Sequence, residues 1–179
     1  MDRFYRRRLP HWEIEGAWYY LTLRLYGSIS QAVFNTWQIE AEQKRQSLIR
    51  KYGRLSPQLE RAISYEQIRK AERYLDSQIH VRYLEHPLAA EAFVNNLERG
   101  TEKLYRLGPW VVMPNHAHLI LTPQLDERNE PIRLARILQH VKGASALEIN
   151  RILKRSGRLW QREYFDRIIR SMTDFRRKA

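Results

Sequence analysis

The chain contains no cysteine. Disulfides, thiolate metal sites and a cysteine nucleophile are therefore excluded, and any metal has to be held by nitrogen and oxygen. It also lacks any apolar run near the ~18 residues that a membrane-spanning helix needs. The arginine-rich start has no apolar stretch of the signal-peptide kind, so a cytoplasmic protein is expected. No internal repeat and no low-complexity segment is present. Acidic residues are outnumbered, with 20 Asp and Glu against 32 Lys and Arg.

That imbalance gives a net charge of +12 and a pI of about 10.2. It favours a polyanionic partner. Nucleic acid comes first. An acidic membrane surface fits less well, because the positive charge is spread along the chain and not gathered on one amphipathic stretch. With 179 residues, 43% of them hydrophobic, the chain is long enough for one domain with a real core. We read residues 1–179 as a single domain.

The segment Met113-Pro114-Asn115-His116-Ala117-His118-Leu119-Ile120-Leu121 carries the most chemistry. In a strand, residues i and i+2 share a face. His116 and His118 then present two imidazoles side by side, and neutral imidazole is a common ligand for divalent metals. A histidine pair of this kind is often only structural. Here it follows Pro114-Asn115, which reads as a tight turn between two apolar strands, and strand ends are where sites are built.

Arg3 to Arg8 forms a basic arm over residues 1–10, and Arg6, Arg7 and Arg8 are candidate phosphate contacts. Residues 17–26, rich in aromatic and β-prone residues, predict a buried strand ending at Gly27. Ser30 caps a predicted helix with Phe34, Trp37, Ala41, Leu48 and Tyr52 on its apolar stripe. Ser64-Tyr65-Glu66-Gln67 reads as a capping box, followed by Ile68, Ala71, Leu75 and Ile79 at helical spacing. Pro87 opens another helix. Strands return at 105–113 and 117–122. Pro131 opens a helix that buries Leu134, Leu138, Val141, Ser145, Ile149 and Ile152, shows Lys142 outside as a further phosphate contact, and stops at Gly157. Trp160 suits the core better than a stacking platform. The pattern is α+β, a small antiparallel sheet carrying helices.

Three segments in order resemble the REP-associated tyrosine transposases, a branch of the single-tyrosine HUH transposases. They are Arg8-Leu9-Pro10-His11-Trp12 with the aromatic strand, Trp110 through Leu119, and Leu159-Trp160-Gln161 with Tyr164-Phe165-Asp166-Arg167 and Arg170. The resemblance implies a ferredoxin-like or RRM-like core, with the histidine pair on a central strand and the tyrosine on a C-terminal helix within 159–179. It implies metal-dependent cleavage of single-stranded, hairpin-forming DNA, with strand transfer through a 5′-phosphotyrosine on Tyr164. His116 and His118 would hold Mg²⁺ or Mn²⁺. Gln161, Glu163 and Asp166 are the local candidates for a third ligand, and Asp166 is the working choice. Arg167 and Arg170 join the expected DNA contacts. The relatives act as monomers or homodimers, and a DNA partner would place the protein at the nucleoid.

A phenol with a pKa of about 10 is a weak nucleophile at neutral pH. Attack on a phosphodiester therefore needs the phosphate charge offset, which a divalent ion does. The runner-up is a truncated or domesticated relative that binds hairpin DNA without cutting. A third reading is a small metal-dependent nuclease that leaves no protein–DNA bond.

Overall fold

A computed structural model describes residues 3–6, 10–77 and 80–178, and the side chains from residue 13 onward within those ranges. The described chain divides into two compact units. One joins the residues up to Tyr26 with those from Val81 onward, and the other is Gly27–His80.

The reason lies in the second unit, which has its own seam. Helix α1 spans Gln31–Tyr52 and helix α2 spans Pro57–Ser77. Ser30 caps α1 by accepting from the Val33 amide at 3.3 Å, and Gly53 ends it in the left-handed region at φ 76°. The two helices run antiparallel. Trp37 meets Tyr74 edge-on at 5.5 Å, and Arg45, 6% exposed, forks onto Glu60 at 2.9–3.0 Å. Lys44 with Glu66 and Lys70 with Glu40 add outer ion pairs. The capping box expected at Ser64 is not one. Ser64 lies inside α2 and donates to the Glu60 carbonyl at 2.9 Å. The helix starts seven residues earlier, at Pro57, behind Ser56, whose hydroxyl accepts from the Leu59 amide at 3.3 Å.

The first unit carries the main sheet. Strand β1 (Arg3–Arg6) pairs with β2 (Pro10–Glu13) as a separate antiparallel hairpin, so part of the expected basic arm is strand. Arg7 and Arg8 lie outside the described residues, and the Arg6 side chain is among those not described. Strands β3 (Trp18–Arg24), β4 (Tyr105–Met113), β5 (His116–Pro123) and β6 (Phe165–Ile169) form one antiparallel sheet in the order β4-β5-β3-β6. With α3 (Pro87–Arg99) between β3 and β4, and α4 (Leu134–Ile152) between β5 and β6, this is the βαββαβ order of a ferredoxin-like core. A short helix α5 (Met172–Lys178) follows β6.

Strand alternation builds the core. Tyr19, Leu21 and Leu23 of β3, Leu25 just past its end, and Ala117, Leu119 and Leu121 of β5 join Phe93 of α3 and Ile137, Val141 and Ile149 of α4 in one buried cluster. Trp160 belongs to that cluster, 4% exposed, and donates from its indole N–H to Ser145 Oγ at 2.9 Å. Helix α4 begins at Leu134 and not at Pro131, because Pro131 is held in a bridge with Leu125 and the Ile132 amide donates to the Gln124 carbonyl at 2.9 Å. It ends at Ile152, ahead of Gly157.

Candidate functional site

The second face of the sheet holds the chemistry. Pro114 and Asn115 form the two-residue turn between β4 and β5. His116 and His118 follow at once, on β5 between β4 and β3, and both point away from the leucine face. Their register partners on β3 are Arg24 and Thr22.

The two rings meet edge-on, with centroids 4.6 Å apart and Nε2 atoms 3.0 Å apart. Each Nδ1 is tied to an oxygen. His116 Nδ1 donates to the Asn115 side-chain oxygen at 2.6 Å, which leaves its Nε2 as the lone-pair nitrogen. His118 Nδ1 lies 3.0 Å from Thr22 Oγ1, a group that either donates or accepts. When the threonine donates, a proton on His118 Nε2 points at His116 Nε2. When it accepts, both Nε2 lone pairs face the space between the rings. The second arrangement suits a shared cation, and reaching it changes a tautomer without changing the proton count.

Burial, the neighbouring His116 and the Lys178 ammonium together push His118 down to about 3. His118 is thus neutral at physiological pH, the form in which imidazole ligates. Arg24 is 1% exposed and sits opposite His116. Burial lowers its guanidinium to about 10, with Glu163 acting in the opposite sense. It lies 5.5 Å from the Phe165 ring. Tyr20 stacks on His118 at 5.1 Å and 20°. Trp18, 6.0 Å from the Arg106 guanidinium, continues the face. Helix α5 touches the same face, with Phe175 edge-on to Trp18 at 5.7 Å, Lys178 4.3 Å from the Tyr20 ring, and Asp174 paired with Arg167 at 3.1 Å.

The histidine pair is therefore brought together, and the other expected site residues are not. Phe165 pairs with Thr22 and so shares the histidine face; alternation sends Tyr164 to the other one. Tyr164 sits just before β6 and not on a helix, 5% exposed within the leucine-side core. The expected tyrosine helix over 159–179 is a bridge at Trp160, strand β6 and the seven-residue α5. The aromatic and β-branched run from Tyr164 to Ile169 explains this, since it favours pairing beside β3. Asp166 pairs with Leu21 and also falls on the leucine side, so it does not complete the histidine set. Among the described residues no group of three His, Asp or Glu side chains converges as a metal site.

Lys142 is not an outward phosphate contact. Its ammonium donates to the Gln161 carbonyl at 2.9 Å and the Arg162 carbonyl at 3.3 Å, 5.5 Å from the Tyr164 ring. Arg167 is taken by Asp174, and Arg170 is exposed. Sequence reading missed Thr22, Arg24 and Tyr20. Their signal was there, since polar or aromatic residues at 20, 22 and 24 alternate with leucines at 21, 23 and 25.

No family model and no curated protein matches this chain. Among solved structures it is similar to a REP-associated tyrosine transposase bound to a REP hairpin, with a TM-score of 0.45 and 15% identity. The match covers 97% of this chain and 66% of that one, so the chain spans about two thirds of that protein's length. The candidate site rests on this chain's own geometry.

Proposed function

We propose that this chain binds single-stranded, hairpin-forming DNA and presents a phosphodiester to a divalent ion, Mg²⁺ or Mn²⁺, held by His116 and His118. The observation that carries the reading is the imidazole pair, with Nε2 atoms 3.0 Å apart and each Nδ1 anchored to an oxygen. The pair fits such an ion as two nitrogen ligands, with oxygens of substrate and solvent left to complete the shell. A bound ion would supply Lewis-acid polarisation of a non-bridging phosphate oxygen. Arg24, opposite His116, adds fixed positive charge beside the same point. Half-buried Trp18 on the same face supports DNA as the polyanion, because an unpaired base can stack on such a ring while cations such as Arg106 track the backbone.

The placement of Tyr164 favours the reading in which DNA is bound without tyrosine attack. Strand transfer through a 5′-phosphotyrosine is the second reading, and it requires residues 159–170 to leave their pairing with β3 so that Tyr164 reaches the histidine face. Incubation of labelled hairpin DNA carrying a single-stranded flank with the protein and Mn²⁺ separates the two. Binding with no adduct is the expected outcome. An SDS-resistant adduct that Tyr164→Phe abolishes would establish strand transfer. Cleaved product without adduct would mark a nuclease.

A further inference from the structure

The helical side of the first unit carries a feature that the histidine face does not use. Two cavities flank α4 and share Gln139 in their walls. One, about 780 Å³, is ringed by Arg99, Lys103, Arg136 and His140, and no carboxylate lines it. The other, about 540 Å³, is lined by residues that include Arg158, Arg162 and Gly143, again with no carboxylate among them.

Elsewhere cations are neutralised, as in Lys44–Glu66, Arg45–Glu60 and Arg82–Glu85. Around α4 the two cavities hold no carboxylate, although Lys103 and Arg136 also line a neighbouring hollow with Asp126 and Glu127, where Arg136 acts on the Asp126 carboxylate. Lys103, Arg136 and His140 make no side-chain hydrogen bond or ion pair among the described residues, and Glu148 reaches Arg99 only at 3.9 Å. Like charges gathered in a concave surface raise each other's energy and focus positive potential into the hollow. The middle of the trough is shallow because α4 is built there from Gly143, Ala144 and Ala146. A Cβ added at Gly143 meets nothing within 4 Å.

We propose that this trough across α4 seats the phosphodiester backbone of the hairpin, on the face of the sheet opposite His116 and His118. The inference rests on the reading of the chain as a DNA-binding protein and adds where the paired part of the substrate lies. Separate surfaces for the backbone and for the phosphate at the histidines let one part of a strand be held while another part is presented to the ion.

Gly143 gives a test that spares the fold, since replacing a mid-helix glycine adds helix propensity and the site is open. Affinity for the hairpin would be read by fluorescence anisotropy at two salt concentrations, with circular dichroism to confirm folding. Gly143→Glu should weaken binding about tenfold or more, Gly143→Arg should tighten it several-fold, and Gly143→Ala should leave it unchanged. The double variant Lys103→Ala/Arg136→Ala should lower the salt slope by about 2, near 0.9 for each phosphate no longer neutralised. With the metal chelated, the same order of affinities among the Gly143 variants should hold, so failure of the metal reading would leave this result standing. Equal affinities for Gly143→Glu and Gly143→Arg, or an unchanged salt slope, would overturn the proposal. So would loss of polyglutamate binding with hairpin binding intact, which would assign the trough to an acidic protein.

Discussion

Replacing Thr22 by valine tests how the histidine pair is held. The substitution keeps the β-branched shape in a fully buried strand position and removes only the hydroxyl that lies 3.0 Å from His118 Nδ1. The buried imidazole nitrogen then lacks that partner, which costs about 1–3 kcal/mol of stability. The same bond holds the ring's orientation, and losing an outer partner of a ligating histidine typically lowers metal affinity about 10–100-fold. That range equals about 1.4–2.7 kcal/mol, the same order as the stability cost, as expected if one bond serves both roles. Urea unfolding reads the first figure, and titration with Mn²⁺ followed by the loss of the free-ion paramagnetic signal reads the second. Thr22→Ser restores the hydroxyl and should bring affinity back to within about twofold of the parent. A Thr22→Val protein that is destabilised yet binds Mn²⁺ as the parent does would refute the argument that this hydroxyl orients a ligand.

Further outcomes follow from the same geometry. Asp166→Asn should leave Mn²⁺ affinity unchanged, because Asp166 faces the leucine side; a tenfold loss would place it in the metal shell. Burial, with Arg24 adding repulsion, lowers Lys142 from 10.5 to about 7, so between those values the unfolded chain holds a proton that the folded chain has released. Stability should therefore rise with pH from about 7 toward the ordinary lysine range, and Lys142→Met should flatten that rise in urea midpoints; an identical rise in the variant would contradict it. Gly100→Ala should destabilise markedly, since the new Cβ would fall 2.6–2.8 Å from the Tyr105 ring and hydroxyl, which donates to the Leu97 carbonyl; unfolding at the parent's urea midpoint would show that the ring moves aside at no cost.

Much of the fold was legible because its signals were local. The strand at Trp18–Arg24, the turn at Pro114-Asn115 and the Ser30 cap all announce themselves within a few residues. The histidine pair was legible for the same reason, since i and i+2 in a strand share a face wherever the strand sits. What failed depended on partners far along the chain. Tyr164 is expected on a helix because the resemblance implies one, yet residues 165–169 pair with β3, some 145 residues earlier. That pairing alone decides which face Tyr164 and Asp166 take. Lys142 looked outward by helical periodicity, but the carbonyls it holds belong to residues 19 and 20 positions later. The alternation that marks Thr22 and Arg24 was visible, though only the register with β5 gives it meaning.

The central claim is that His116 and His118 together hold one divalent ion. Manganese titration by paramagnetic resonance, with and without hairpin DNA, measures this directly. The account predicts one Mn²⁺ bound per chain, tightened by the hairpin and lost in both His116→Ala and His118→Ala while those variants stay folded. Equal Mn²⁺ binding by the parent and both variants would contradict it.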